Sequence, residues 1–266
     1  MFPYYLLQFS PPVIGKAIGN DNSKKVSKII IFIFFSIFLF LLFFRDKSVG
    51  IDLENYYYYF QIYSAPDFAK IMYRIKNPGD NDVEVGYILL NWLVSRITHN
   101  FQWYLVIVAL ISVIPVAVLY YKNSEHAYLL VTLFSTIGIF SMYFSGLRQI
   151  IAVAIGILAY SAAKNKKIVR FALLIFLAIL FHRTAFVLVL LYPCCRLKLK
   201  KNNLLFIIPF LAIVFLFNKQ IFLWLARLVP DAGNVELQTT NAYMMLILYI
   251  VFAVWSYVIG DEEKFD

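Results

Sequence analysis

Long apolar runs separated by short basic clusters set the pattern of this chain. Runs at about 27–44, 103–121, 127–144 and 147–163 each approach the roughly 20 apolar residues that carry a helix across about 30 Å of hydrocarbon. A transmembrane barrel would show short strands of alternating polarity instead. The pattern predicts an all-α fold: a polytopic transmembrane helical bundle of about 7–9 membrane segments, some re-entrant or half-depth. Towards the end, 203–217 reads as a span, 220–229 as an interfacial piece, 230–241 as an outer loop and 242–259 as a return. The whole of 1–266 reads as one integral membrane domain, and no internal repeat is visible.

Segment 85–98 follows another pattern. Glu84, Tyr87, Asn91, Ser95 and Thr98 share one helical side, while Leu89, Trp92, Leu93 and Ile97 lie largely elsewhere. That distribution predicts a re-entrant or interfacial helix lining a cavity. It also removes a parity conflict, because the polar stretch 45–84 before it and the span after it both need their shared end outside.

Basic residues orient the spans. Lys16, Lys24, Lys25 and Lys28 precede the first run, which places the amino terminus in the cytoplasm by the positive-inside rule. No small-residue cleavage site follows that run, so it is read as an uncleaved span rather than a signal peptide. Lys164, Lys166, Lys167 and Arg170 then belong inside, which puts Arg148 at the outer face. Arg196, Lys198, Lys200 and Lys201 also belong inside, yet only about 25 residues separate the two clusters, too few for two crossings. A pair of half-depth helices, 168–181 and 184–193, bending at His182 and Arg183, resolves this; one long span with the second cluster outside is the alternative. Irregular backbone at membrane depth requires protein or a water-filled cavity around it, so the bend marks a candidate cavity.

Composition sharpens the class. The chain is 62% hydrophobic and 15% charged, against about 45–50% and about 25% in soluble domains. The net charge of +9 resides in the clusters between spans, which argues against a nucleic-acid partner. Cys194 and Cys195 are adjacent, poorly placed for a mutual disulfide and without metal-site spacing. No His/Cys/carboxylate pattern, glycine-rich phosphate loop or nucleophile elbow occurs, and neither a metal nor another cofactor is implied.

The candidate chemistry lies near the outer face. Arg148 shares a helical face with Ala152, Gly156, Ala159 and Ala163, small residues that admit a close neighbour. It is therefore read as facing protein rather than snorkelling to the interface. His182 sits between Ala178 and Ala185 beside Arg183. Arg148 and Arg183 suit a phosphate or pyrophosphate, whose oxygens match guanidinium forks. Asp52 and Glu84 bracket the outer loop. Each reads either as a helix cap or as an acid facing the cations, where an acid or His182 accepts the proton of an attacking hydroxyl. The tyrosines at 56–59 suit the membrane interface and offer rings to sugars.

These residues fall in four short pieces. They are 45–56 with Gly50-Ile51-Asp52; Glu84-Val85-Gly86-Tyr87 leading into Leu89 and Leu90; Leu147-Arg148-Gln149-Ile150-Ile151-Ala152; and 177–185, with Phe181-His182-Arg183-Thr184 at its centre. Their order and spacing, over about 29–195, resemble the EpsG family of Wzy-like proteins of exopolysaccharide and capsule synthesis. The resemblance implies a glycosyltransferase-C-like membrane enzyme of the bacterial cytoplasmic membrane. It would act as a polysaccharide polymerase, joining oligosaccharide repeat units carried on undecaprenyl pyrophosphate at the outer face. His182, Asp52 and Glu84 would then be catalytic, Arg148 and Arg183 would hold the pyrophosphate, and Tyr56 and Tyr87 would meet the sugar. Implied partners are the lipid-linked oligosaccharide, the bilayer and other polysaccharide synthesis and export proteins. Members usually continue with further spans, so this chain is expected to be short at its carboxyl end. The competing functions are a transporter or flippase of lipid-linked sugars, a non-catalytic scaffold of the synthesis complex, and a ligase or acyltransferase modifying the polymer.

Overall fold

The computed structural model describes residues 5–7, 10, 24–64, 67–77, 83–124, 127–136 and 138–196, together with Pro209, Ile213, Leu216, Phe217 and Gln220. The chain divides into two compact units, 1–195 and 196–266. The expected elements at 203–217, 220–229, 230–241 and 242–259 lie outside the described residues, save for those isolated positions.

Among the described residues the regular structure is entirely helical. In order, the helices are α1 (Lys24–Phe43), α2 (Leu53–Tyr63), α3 (Phe68–Lys76), α4 (Val85–Ser95), α5 (Phe101–Lys122), α6 (Ala127–Thr136), α7 (Ile139–Ser145), α8 (Leu147–Lys164) and α9 (Ile168–Phe181). A 3-10 segment, Arg183–Leu190, and the short α10, Leu191–Cys194, follow.

Helices α1, α5 and α8 are long and apolar enough to cross a membrane. Helix α1 shows why an all-round apolar sequence is needed. Ile31, Phe34, Phe35, Phe38 and Leu42 pack inward at helical spacing, while Phe32, Ile33 and Phe40 face outward. A helix apolar all round lies in a large protein core or in lipid, and the exposure of its outward face points to lipid. The inward phenylalanines form an aromatic core with Phe134, Phe140 and Tyr143 of α6 and α7.

The expected single span at 127–144 is broken. Gly138 adopts a left-handed conformation (φ 81°), and α6 and α7 meet at 50° there. Glycine tolerates that backbone without steric cost, so the chain bends where an unbroken helix was expected.

The small-residue face of α8 does what its composition predicts. Ala152, Ala159 and Ala163 are buried, and Phe171 and Ile175 of α9 pack against Ala159, Ala162 and Ala163. Helix α9 runs back along α8 and ends at His182, whose extended backbone (φ −157°, ψ 116°) reverses the chain. Tyr192 then packs against Phe171, with ring centroids 5.2 Å apart, near the beginning of α9. The chain thus returns to the level from which α9 departed, and 168–194 is a hairpin. Its second limb is 3-10 rather than α over Arg183–Leu190. The steeper rise of the 3-10 helix lets the 12-residue return leg cover about 22 Å, matching the about 21 Å of the 14-residue α9.

Helix α4 buries polar and apolar residues together, with Ile88 and Val94 beside its polar stripe. Tyr87, Asn91 and Ser95 are buried, whereas Leu93 and Ile97 are exposed. The expected cavity on its polar side is filled by protein: Tyr87 packs on Tyr56 of α2 and on Tyr104 of α5. Asn91 donates from Nδ2 to the Tyr87 carbonyl at 2.7 Å, and Ser95 from Oγ to the Trp92 carbonyl at 2.6 Å.

Candidate ionic site

Two glycines set the site. Gly50 has φ 128°, a left-handed conformation, and a Cβ there would fall 1.9 Å from the Phe144 carbonyl oxygen. The loop between α1 and α2 therefore lies directly on the backbone that leads through Gly146 into Arg148. Gly86 plays the same part between α4 and α9, where a Cβ would fall 2.7 Å from the Leu180 carbonyl oxygen. That contact brings Glu84, just before α4, to His182 and Arg183, just after α9.

Glu84 is the hub. One carboxylate oxygen, Oε2, accepts from Arg148 Nη1 in an ion pair. The other, Oε1, accepts from the Arg183 backbone N–H at 3.2 Å and lies 3.4 Å from His182 Nδ1. The imidazole is within ion-pair reach but makes no hydrogen bond of good geometry. Only 10% of the Glu84 side chain is exposed. Burial pushes its carboxyl up, but His182, the residue's own backbone and Arg148 more than offset this and bring it down to about 2. Glu84 is thus a fixed anion at any ordinary pH.

The capping alternative for the two acids fails at both positions. Asp52 and Glu84 occupy the N-cap positions of α2 and α4, yet neither side chain bonds to a helix amide. Asp67 and Asn100 show what capping looks like in this chain, accepting from Ala69 N at 2.9 Å and Gln102 N at 2.8 Å.

Arg148 does not snorkel to the interface. Besides the ion pair, its guanidinium lies beside the buried Tyr56 hydroxyl, and its Nε is buried without a partner. Asp52, exposed, is close enough for its charge to reach Tyr56. Burial is the main cause that raises the Tyr56 phenol, with Arg148 opposing. Arg183 contributes its backbone to Glu84, while its exposed guanidinium forms no ion pair among the described residues.

The structure therefore brings together Glu84, Arg148, His182, Arg183 and Tyr56, from four separate pieces of sequence, with Asp52 at the edge. It corrects the expected sugar contacts. Tyr87 is fully buried and Tyr56 is 5% exposed, so neither ring keeps a free face for a sugar; the exposed rings of α2 are Tyr57 and Tyr58. Their neighbours explain this, since Tyr56, Tyr87 and Tyr104 pack as one chain of rings between α2, α4 and α5.

One further residue, which opens the first of the four matching pieces, was given no role of its own from the sequence. Arg45 is 2% exposed, donates from Nη1 to the Tyr143 carbonyl at 2.6 Å, and faces the Phe144 ring. It ties the end of α1 to the end of α7, beside the Gly50 contact. The signal was present: an arginine following the first span is disfavoured on the outer side, the same argument that singled out Arg148.

Helices of this length and polarity, closing on a partly buried ionic cluster at one end of α8, define an integral membrane protein with a polar site held by packed helices. Residues 28–247 match the EpsG family, and the chain belongs to that family of polysaccharide-related membrane proteins. No curated protein and no solved structure matches the chain.

Proposed function

We propose that this protein polymerises lipid-linked oligosaccharide repeat units at the outer face of the bacterial cytoplasmic membrane, as a glycosyltransferase of C-like architecture with about 7–9 membrane segments and a cytoplasmic amino terminus. The observation that carries the reading is the convergence of Glu84 on Arg148, His182 and the Arg183 amide.

The geometry divides the labour among these groups. A carboxylate facing His182 Nδ1 favours the proton on that nitrogen and leaves Nε2 as an acceptor. His182 Nε2 then takes the proton of the attacking sugar hydroxyl. The oxygen forms a bond to the anomeric carbon of the second lipid-linked chain, and the bond from that carbon to undecaprenyl pyrophosphate breaks. Arg183, with its exposed guanidinium, and Arg148 stabilise the negative charge that develops on the departing pyrophosphate. Glu84, already an anion held by Arg148, orients the histidine and the arginine rather than acting as the base. Asp52 acts on the exposed edge, towards the incoming sugar.

Polysaccharide chain length in a deletion strain tests this. Complementation with wild type restores polymer, whereas Arg148→Ala and His182→Ala, expressed equally, leave single repeat units on the lipid carrier. Normal polymer from both variants would make the cluster structural and favour the scaffold reading. Failure of repeat units to reach the outer face would favour a flippase.

A further inference from the structure

A cavity of about 610 Å³ lies at the Gly50–Phe144 contact, and none of Glu84, Arg148 and His182 lines it. Its lining includes Tyr5, Ser48 of the α1–α2 loop, Glu54 of α2, and Phe140, Ser141, Phe144 and Ser145 of α7. The segment 144–148 joins it to the cluster, so the cavity and Arg148 share one stretch of backbone. Its volume falls within the roughly 300–1,000 Å³ of ligand pockets.

The lining selects a ligand class. Tyr5, 54% exposed, offers a ring of the kind that C–H faces of sugars cover, above a floor formed by the buried Phe140 and Phe144. Three serine hydroxyls and a carboxylate rim that surface and accept hydrogen bonds from hydroxyl groups. Ser141 Oγ already donates to the Gly138 carbonyl at 2.7 Å, which leaves its lone pairs to accept. Glu54 forms no ion pair among the described residues and repels a phosphate, in contrast to the arginines of the ionic cluster. A purely lipidic groove has no use for the three hydroxyls and the carboxylate.

We propose that this cavity is a saccharide subsite, holding neutral or amino-bearing sugar residues of a lipid-linked oligosaccharide while its pyrophosphate end lies at Arg148 and Arg183. The inference rests on the polymerase reading and adds where the sugars beyond the reacting one are held.

The probe is the oligosaccharide released by mild acid from the lipid-linked repeat units of the deletion strain, added to the purified full chain in lipid nanodiscs. Saturation-transfer NMR reads its binding. Wild type binds, Ser141→Trp, which fills the mouth at an exposed position, weakens binding at least tenfold, and Glu54→Gln weakens it several-fold. Equal binding by wild type and both variants overturns the subsite and leaves the polymerase reading standing. Displacement of the oligosaccharide by undecaprenyl phosphate alone makes the cavity a lipid groove and also overturns it. A deletion strain that accumulates no lipid-linked repeat units overturns the polymerase reading, and the subsite with it.

Discussion

Arg148 and Glu84 stand 64 residues apart and form an ion pair in which the carboxylate is almost fully buried. Each belongs to a different helix start, and the pair exists only because α4 and α8 are both packed against α9. A partly buried pair of this kind is costly to break from one side, since the remaining charge stays desolvated.

Replacing Glu84 with Gln leaves Arg148 without its counter-ion and His182 without its orienting anion. We expect a loss of about 2 kcal/mol in stability and at least a tenfold fall in polymer output. Unfolding in graded denaturant and polymer length in the complemented deletion strain read the two effects separately. Wild-type polymer from Glu84→Gln would remove Glu84 from the site.

The acid limb of stability should carry the signature of Glu84. Its carboxyl is lowered from the ordinary 4.5 to about 2, so the unfolded chain takes up the proton first. The stabilisation is present in full above pH 4.5 and is lost as the pH falls towards 2. Subtracting the profile of Glu84→Gln from that of wild type should leave a difference that declines across this window. A flat difference would show that the carboxylate is not held as described.

Gly86 and Gly156 make a controlled comparison. Alanine at 86 would drive a Cβ into the Leu180 backbone, which cannot yield without separating α4 from α9. Alanine at 156 would meet only the Leu188 side chain, at 2.8 Å to Cδ1, and that side chain can rotate. Gly86→Ala should cost about 1–3 kcal/mol and abolish polymer, with Gly156→Ala close to wild type in both assays. Equal behaviour of the two would mean that the close approach at Gly86 does not hold the site.

Arg148→Lys keeps the charge but loses the guanidinium fork, one arm of which pairs with Glu84 and the other of which is proposed to reach a phosphate oxygen. Polymer output should remain below one tenth of wild type, despite normal expression. Full rescue by lysine would reduce Arg148 to a point charge.

The hairpin at His182 returns the chain, by Tyr192, to the start of α9. On the proposed orientation, with a cytoplasmic amino terminus and 45–84 outside, reporter fusions after residues 100, 124, 166 and 200 should read outside, inside, inside and inside. A fusion at 200 that reads outside would replace the hairpin with a full crossing.

Much of this arrangement is legible along the chain because it depends on local periodicity. The apolar runs predicted α1, α5 and α8, and the alanine and glycine face of α8 predicted a close neighbour. The spacing of two basic clusters favoured a reversal over one long span, and the backbone reverses at His182. These features follow from rise per residue and from the cost of exposing polar groups to lipid, which act on every residue in isolation.

Other features were decided only by packing. The residues of the polar stripe on α4 looked like the wall of a cavity, yet Tyr87, Asn91 and Ser95 are buried because α2 and α5 supply partner surfaces that the stripe alone does not reveal. The same cause removed Tyr56 and Tyr87 from sugar contact. Asp52 and Glu84 were indistinguishable in sequence, each an acid at a helix start. The difference between them is that Gly86 lets α4 touch the backbone of α9, which brings Glu84 alone to Arg148 and His182. Sequence by itself determined which groups are available and how far each helix reaches. Tertiary structure decided which charges meet, because an ion pair depends on distances between elements that no local pattern encodes.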